Sequence, residues 1–590
     1  MAELQSEHVL VVAIDFGTTY SGYAFSSGVE FEKDPTKISS NKPWIASQGL
    51  VSHKTPTCVL LNPDGTFKNF GYQAEDKYNE IAADDSQDHS QFYFFRRFKM
   101  VLHTRAHLNR EVTVEDETGK SMKAIDVFAH GIRFLKNHAL ETINIQGLQI
   151  DEMDIHWVIT VPAIWSDGAK QFMREAAQKA GVEENNLSIA LEPEAASVYC
   201  KYLPIHQLGQ DASGGCFLPG AKYMVIDLGG GTADITVHKV EGDGSLCEVH
   251  GPSGGAWGGT KVDQAFMRFV TEIFGEDVMR DFKKNNMEDA IDLHREFELR
   301  KRSVKMDSGE TTSMAIKIPV ALYELYEDKH GKRLRDDMKN SPKFKSYRDK
   351  ITCTADKMKI NIDLMKTFFK RPLEDLVEHI RDILGELPVR GTRTFIVVGG
   401  FAESNMVQEY LRSKFPNMKV IIPFDAGLAV LKGAVIFGHA PVVITSRVCP
   451  RTYGMAVSKL YVEGQYPEDK AETDISQRKI VRNVFHKYMQ VGQPTKVGQS
   501  ITSLPLSVRA GQQQARVRIF ASKNSCPCFV TDEGCSYLGE ILVDVPEMEF
   551  DEGGTIEVQM TFGGTELHVE ALEKKSKQMY KSRFDFLSGN

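Results

Sequence analysis

The stretch VIDLGGGTADI, residues 225–235, runs from an apolar strand-like segment through three consecutive glycines to a second acid, Asp234. A glycine triplet gives up conformational entropy and offers nothing to pack. It suits a turn where backbone N–H groups approach a ligand, and phosphate is the natural ligand for such a turn. A left-handed backbone at Gly230 is the expected reason for glycine there. A second stretch of the same build opens the chain: in VVAIDFGTTYSGYAF (11–25) an apolar run delivers Asp15, and Gly17, Thr18 and Thr19 then turn the chain into another alternating strand. Both segments read as strand, aspartate, glycine turn, threonine and strand. The chain therefore carries an internal repeat of a hairpin whose tip presents a carboxylate, backbone amides and hydroxyls.

The residue types fit a polyphosphate. Amides and threonine hydroxyls cradle phosphate oxygens, but a bare carboxylate repels them. Asp15 and Asp227 therefore imply a divalent cation, Mg²⁺, held largely through its own waters because magnesium dehydrates reluctantly. Neither G-x-x-x-x-G-K-[ST] nor G-x-G-x-x-G follows a strand, which sets aside the two commonest glycine-loop readings.

At 590 residues the chain is too long for one core. With 42% hydrophobic and 26% charged residues it has an ordinary globular composition. A formal charge of −9 argues against a general grip on nucleic acid or anionic membrane. The basic segment 332–350 is interrupted by acids and reads as a solvated surface. The apolar run 9–14 ends at Asp15, too early for a signal-peptide core, and no stretch approaches the ~20 apolar residues of a transmembrane helix. Nine cysteines without a disulfide-framework spacing suit a reducing compartment, the cytoplasm. Cys526, Cys528 and Cys535 cluster, but no evident fourth ligand lies nearby, so they read as thiols.

IDFGTTYSG (14–22), WVITVPAIWSDGAKQ (157–171), IALEPEAASVY (189–199), VIDLGGGTADITV (225–237), FELRKRS (297–303) and FIVVGGFAES (395–404) together resemble the actin-like ATPases. Within them they resemble the seventy-kilodalton heat-shock chaperones and their divergent branch, heat shock 70 kDa protein 12. The resemblance implies bound ATP or ADP with Mg²⁺, protein or peptide clients, and co-chaperones. Under it, Asp15, Gly17, Thr18, Thr19 and Tyr20 form one phosphate loop, and Asp227, Gly229, Gly230, Gly231 and Thr232 form the other. Glu192 matches the carboxylate near the γ-phosphate and the attacking water. Pro162 matches a nucleotide-state switch, and Lys170 stands where the family relays that switch through an arginine.

Glu298, Lys301 and Arg302 match the helix that holds ribose and base. By spacing alone they are a salt-bridge stripe on one helix face. Gly399 and Gly400 open the adenine loop. There Phe401 and Glu403 replace a small polar residue and an arginine; Phe401 either stacks on the base or packs behind the turn. The lysine expected at the γ-phosphate falls in FYFFRRFKM (92–100), where the register allows Arg97 or Lys99. Asp425 receives no ligand role.

The expected fold is α/β: a two-lobed actin-like (ribonuclease-H-like) ATPase domain, 1–440, with lobe I at about 8–220 and lobe II at about 221–440, then a reduced β-sandwich-like domain, 441–590. In that second domain the acid-rich 462–479 reads as a loop. The long helical lid is missing, and 572–587 is a remnant too short for a helical bundle. The linker PVVITSRV (441–448) lacks the family's leucine-aspartate run. Three functions compete: an ATP-binding, slowly hydrolysing chaperone-like protein, a non-hydrolysing nucleotide-sensing scaffold, and a small-molecule kinase of the same fold. The kinase needs an aspartate base at a sugar pocket and has no such β-module.

Overall fold

The computed structural model describes residues 6, 8–45, 51–84, 86–105, 108–208, 215–307, 309, 312–354, 356–474, 476–503, 505–507, 513–545, 555–582 and 586–587. The apolar run Leu10–Phe16 is buried at every position, as a strand covered on both faces must be. It pairs antiparallel with Tyr20–Ser27, placing Asp15 opposite Gly22. On its other edge Ile155–Val161 joins in parallel, with Leu187–Leu191 beyond it. The second hairpin, Lys222–Leu228 with Ala233–Val240, sets Asp227 opposite Asp234. Thr394–Val398 and then Lys419–Ile421 flank it in parallel, and Leu246–Gly255 follows antiparallel. The repeat seen at the hairpins thus extends over two whole sheets, each built as two parallel strands beside an antiparallel ribbon.

Helices Ala124–Ile145 and Asp167–Lys179 cover the first sheet, and Thr260–Phe274 and Ile362–Gly385 cover the second. Helices Glu192–Tyr202 and Ala429–His439 cross between the sheets. Their crossing is close because Gly433 has no side chain: a Cβ there would lie 1.7 Å from the Ala195 carbonyl. Ala429–His439, though late in the chain, packs its Ala434 and Val435 against Val11 and Val158 of the first sheet. The lobes therefore interleave in sequence.

The sheet of lobe II also runs past residue 440. Ile444–Val448 adds to it beside Leu246–Gly255, and Pro494–Lys496 pairs with Ile444–Val448 in turn, closing a seven-stranded sheet. Beyond it, two five-stranded sheets enclose one core that includes Met455, Ile519, Val543, Val558 and Met560. Among its described residues the segment 572–587 holds no helix. His568–Glu573 and Met579–Ser582 pair as strands because Val569, Ala571 and Glu573 alternate inward with period two. Within 462–479, Ala471–Thr473 is an edge strand rather than loop.

The β-module docks on the lobes through buried charge. Arg447 clasps Glu194 with both forks at 2.7 Å, donates to the Gly563 carbonyl, and precedes Val448, whose N–H donates to Glu248. Arg174 holds Glu566, and Lys170 donates to the Thr565 carbonyl. Removing one partner of a buried pair strands the other, at a cost of about 3–5 kcal/mol. Arg447→Met is therefore expected to lower the urea midpoint and speed protease cleavage within 441–448. Combining it with Glu194→Met should recover part of the loss, as a double-mutant cycle would show.

Candidate functional site

The two hairpin tips face each other, and this explains the glycines. A Cβ on Gly230 would lie 2.1 Å from Thr19 Oγ1, and one on Gly231 would lie 2.7 Å from Thr18 Oγ1. None of Gly229, Gly230 and Gly231 has a positive φ, so the left-handed backbone expected at Gly230 is absent. Close approach of the opposite loop is the constraint instead. The carbonyls of Gly229, Gly230 and Gly231 accept from the amides of Gly259, Thr260 and Gly258, which commits them within lobe II.

The tips border a cavity of about 760 Å³ lined by every candidate residue except Arg97 and Lys170. Arg97 sits in a left-handed turn, φ 55°, and points to Asp263 at 2.9 Å. That turn starts the short helix Phe98–Met100, which buries Lys99 to 2% exposure. Lys99 Nζ donates to Glu192 at 3.0 Å and lies 4.9 Å from the Trp165 ring centroid. Of the two residues the sequence left open, Lys99 is the one in the cavity.

Four buried carboxylates converge here: Asp15, Glu192, Asp227 and Asp234. Asp15 accepts from Thr160 Oγ1 at 3.0 Å and from Lys54 Nζ at 2.6 Å. Asp234 accepts from the Ile164 N–H at 3.1 Å and so anchors the loop after Pro162. Burial, opposed by Lys99 and reinforced by Asp15 and Asp234, pushes the Glu192 carboxyl up to about 7. Burial together with Glu192, Asp234 and Asp15 raises Asp227 well above the carboxylate range.

No side-chain hydrogen bond or ion pair reaches Asp227 among the described residues, and no described group of three or more His, Cys, Asp or Glu is arranged as a direct ligand set. A buried acid with like-charged neighbours and no donor of its own suits a cation that keeps its water. Asp227 thus fits Mg²⁺ held through water, while Asp15, expected to share that role, already accepts from Lys54 and Thr160.

At the other end, Glu298 on helix Met287–Arg302 binds Lys301 at 2.5 Å and Arg302 at 2.9 Å, so the salt-bridge stripe and the cavity wall are the same residues. Lys301 also bonds Asp263 at 2.8 Å, and the Arg302 guanidinium lies 5.5 Å from the Tyr20 ring centroid. Gly399 is left-handed at φ 91°, where a Cβ would strike Asp227 Oδ1 at 2.4 Å. Phe401 is 7% exposed, stacks on Phe369 at 6.3 Å, 17° from parallel, and also borders the cavity. Glu403 accepts the Gly427 N–H at 3.1 Å. Asp425 borders the cavity, held by Lys432 and Tyr199. Lys54 and Asp263 belong to no motif, and only the fold brings them in.

Two outcomes follow. Because the folded Glu192 takes up its proton near pH 7 and the unfolded one near the ordinary 4.5, the folded state binds more protons between those values, and stability falls as pH rises through that window. Glu192→Gln is expected to flatten part of the slope of ligand-free stability between pH 5 and 8, measured by urea unfolding. Phe401→Ala removes a buried ring and is expected to cost about 3–5 kcal/mol in the same assay.

The sequence profile of the family described as Hsp70 protein matches residues 44–339. Heat shock 70 kDa protein 12B of Homo sapiens is 34% identical over 647 aligned residues, spanning 100% of this chain and 92% of that protein. Heat shock 70 kDa protein 12A of Mus musculus is 34% identical over 99% of this chain and 92% of its own length. The chaperone protein DnaK of Endomicrobium trichonymphae is 24% identical over 74% of this chain and 56% of its own. With this identity running the length of the chain, the protein belongs to the seventy-kilodalton heat-shock protein family, in the branch of heat shock 70 kDa protein 12.

Proposed function

We propose that this chain binds ATP and ADP with Mg²⁺ between its lobes, hydrolyses ATP slowly, and couples nucleotide state to the binding of protein or peptide clients, with co-chaperones as further partners, in the cytoplasm. The observation that carries this reading is the single cavity in which both hairpin tips, Lys99 and Glu192 meet. Gly17, Thr18, Thr19 and Tyr20 on one side, and Gly229, Gly230 and Gly231 on the other, grip the phosphates. Glu298, Lys301 and Arg302 hold the ribose, and Gly399 and Gly400 border the base. Asp15, Asp227, Glu192 and Thr232 position the attacking water, with Lys99 at the γ-phosphate. Bound Mg²⁺ supplies charge neutralisation on the phosphates. Phosphoryl transfer passes through a loose transition state, so placement and neutralisation count for more than a strong base.

One observation favours a second reading, a nucleotide sensor that does not turn over. The Glu192 carboxylate beside the reaction centre is tied to Lys99, which restrains it from orienting water. Single-turnover hydrolysis separates the two: measurable phosphate release that slows in Asp227→Asn supports the ATPase, and none from the wild type supports the sensor. Gly230→Val, which sets a branched side chain against Thr19, is expected to weaken ADP by about a hundredfold or more in calorimetry, with an unchanged circular dichroism spectrum. Unaltered affinity in that variant would refute the phosphate-loop assignment.

A further inference from the structure

We propose that Lys54 is a resident cation of the phosphate cleft that lets the site hold a nucleoside di- or triphosphate with little dependence on divalent metal. The proposal rests on the nucleotide reading above and concerns a residue outside every motif in the sequence. Lys54 Nζ lies 2.6 Å from Asp15 Oδ2, while Thr160 occupies Oδ1, so protein donors already serve both oxygens of that carboxylate. Its side chain is only 17% exposed and borders the same cavity as the two glycine turns.

The path to Asp15 is built into the first hairpin. Gly22 stands directly across the ladder from Asp15, and a Cβ there would lie 3.1 Å from Lys54 Cγ and 3.2 Å from the His53 carbonyl. That missing side chain is the passage through which the lysine stem runs. The buried Asn41 fixes the start of the stem by donating to the His53 carbonyl at 2.9 Å.

The charged groups that act on Lys54 are Asp15, Asp227 and Glu192, all acidic, and they hold the amine protonated despite its burial. An ammonium has three donors. One is spent on Asp15, and the others remain for phosphate oxygens in charge-assisted hydrogen bonds. Lys54 thereby does two things otherwise asked of a metal at this carboxylate: it cancels the charge that would repel the phosphates, and it bridges carboxylate to phosphate.

The test is calorimetric titration of ADP into the full chain, once in saturating magnesium and once in EDTA. The quantity read is the ratio of the two affinities. Wild type is expected to lose less than about tenfold on removing magnesium, and Lys54→Met about a hundredfold or more. Lys54→Arg, which keeps the charge, should stay with the wild type. A merely structural role for Lys54 would lower both affinities and leave the ratio where it was, which overturns the proposal. So does a wild-type ratio of a hundredfold or more. Failure of the wild type to bind ADP in magnesium removes the nucleotide reading itself, and this proposal with it.

Discussion

Four neighbouring buried carboxylates, Asp15, Glu192, Asp227 and Asp234, of which Lys54 pairs with one and Lys99 with another, form the imbalance around which the rest of the structure is arranged. Ionised acids in a low-dielectric setting are costly unless a partner or hydrogen bonds offset them. Each acid here meets that demand differently: Asp15 by Lys54 and Thr160, Glu192 by Lys99, and Asp234 by the amide of Ile164. Asp227 accepts no side-chain hydrogen bond among the described residues, and burial with Glu192, Asp234 and Asp15 outweighs the opposing charge of Lys54, so its carboxyl is raised. The two hairpins hold that shortfall in place by pressing Gly230 and Gly231 against Thr19 and Thr18.

The same helix carries this imbalance toward the β-module. Helix Glu192–Tyr202 begins with Glu192 facing Lys99, and two residues on, past Pro193 in the first turn, Glu194 faces Arg447. Glu248 accepts the N–H of the next residue, Val448, and burial beside Glu194 pushes its carboxyl up to about 8. One rigid turn thus connects the cleft to the strand that joins the lobes to the β-sandwich. Lys170 and Arg174, on the helix after Pro162, reach Thr565 and Glu566 in parallel. Two elements that line or adjoin the cleft therefore end on the same loop, 563–566. Glu192 and Glu194 thus share the first turn of one helix, one facing the cavity and the other the docked β-module.

The parts of this arrangement legible in the sequence are those written in local pattern. The two hairpins, their acids and the buried parallel strands follow from apolar runs broken by Asp and Gly, and the order of the motifs pointed to the family. Pattern could not decide between Arg97 and Lys99, because the decision rests on a left-handed turn at a non-glycine residue, which no composition rule announces. Nor could it reach Lys54, since the fold brings that residue to Asp15 across a gap of 39 positions through a passage made by a glycine that looks like any other strand residue. Segment 572–587 misled for a different reason: its lysine-rich stretch is a turn between strands, and the alternation of Val569, Ala571 and Glu573 that makes a strand starts ahead of it.

The cavity is also unequal along its length, and the inequality has a structural cause. At the end bordered by the paired glycine turns, Asp15 is tied to Lys54 and Thr160, and Glu192 to Lys99. At the base end Glu403 spends one oxygen on the Gly427 amide, and Phe401 turns into the core of lobe II against Phe369. Neither offers the flat cationic face that an arginine over adenine would supply. The cavity wall there also includes Gly399 and Gly400 and, across from them, Lys301 and Arg302, whose charges Glu298 already holds. Such surfaces contact a purine by shape and discriminate weakly among its edge groups. Under the nucleotide reading proposed above, recognition would therefore be concentrated on the polyphosphate, where the charge imbalance lies.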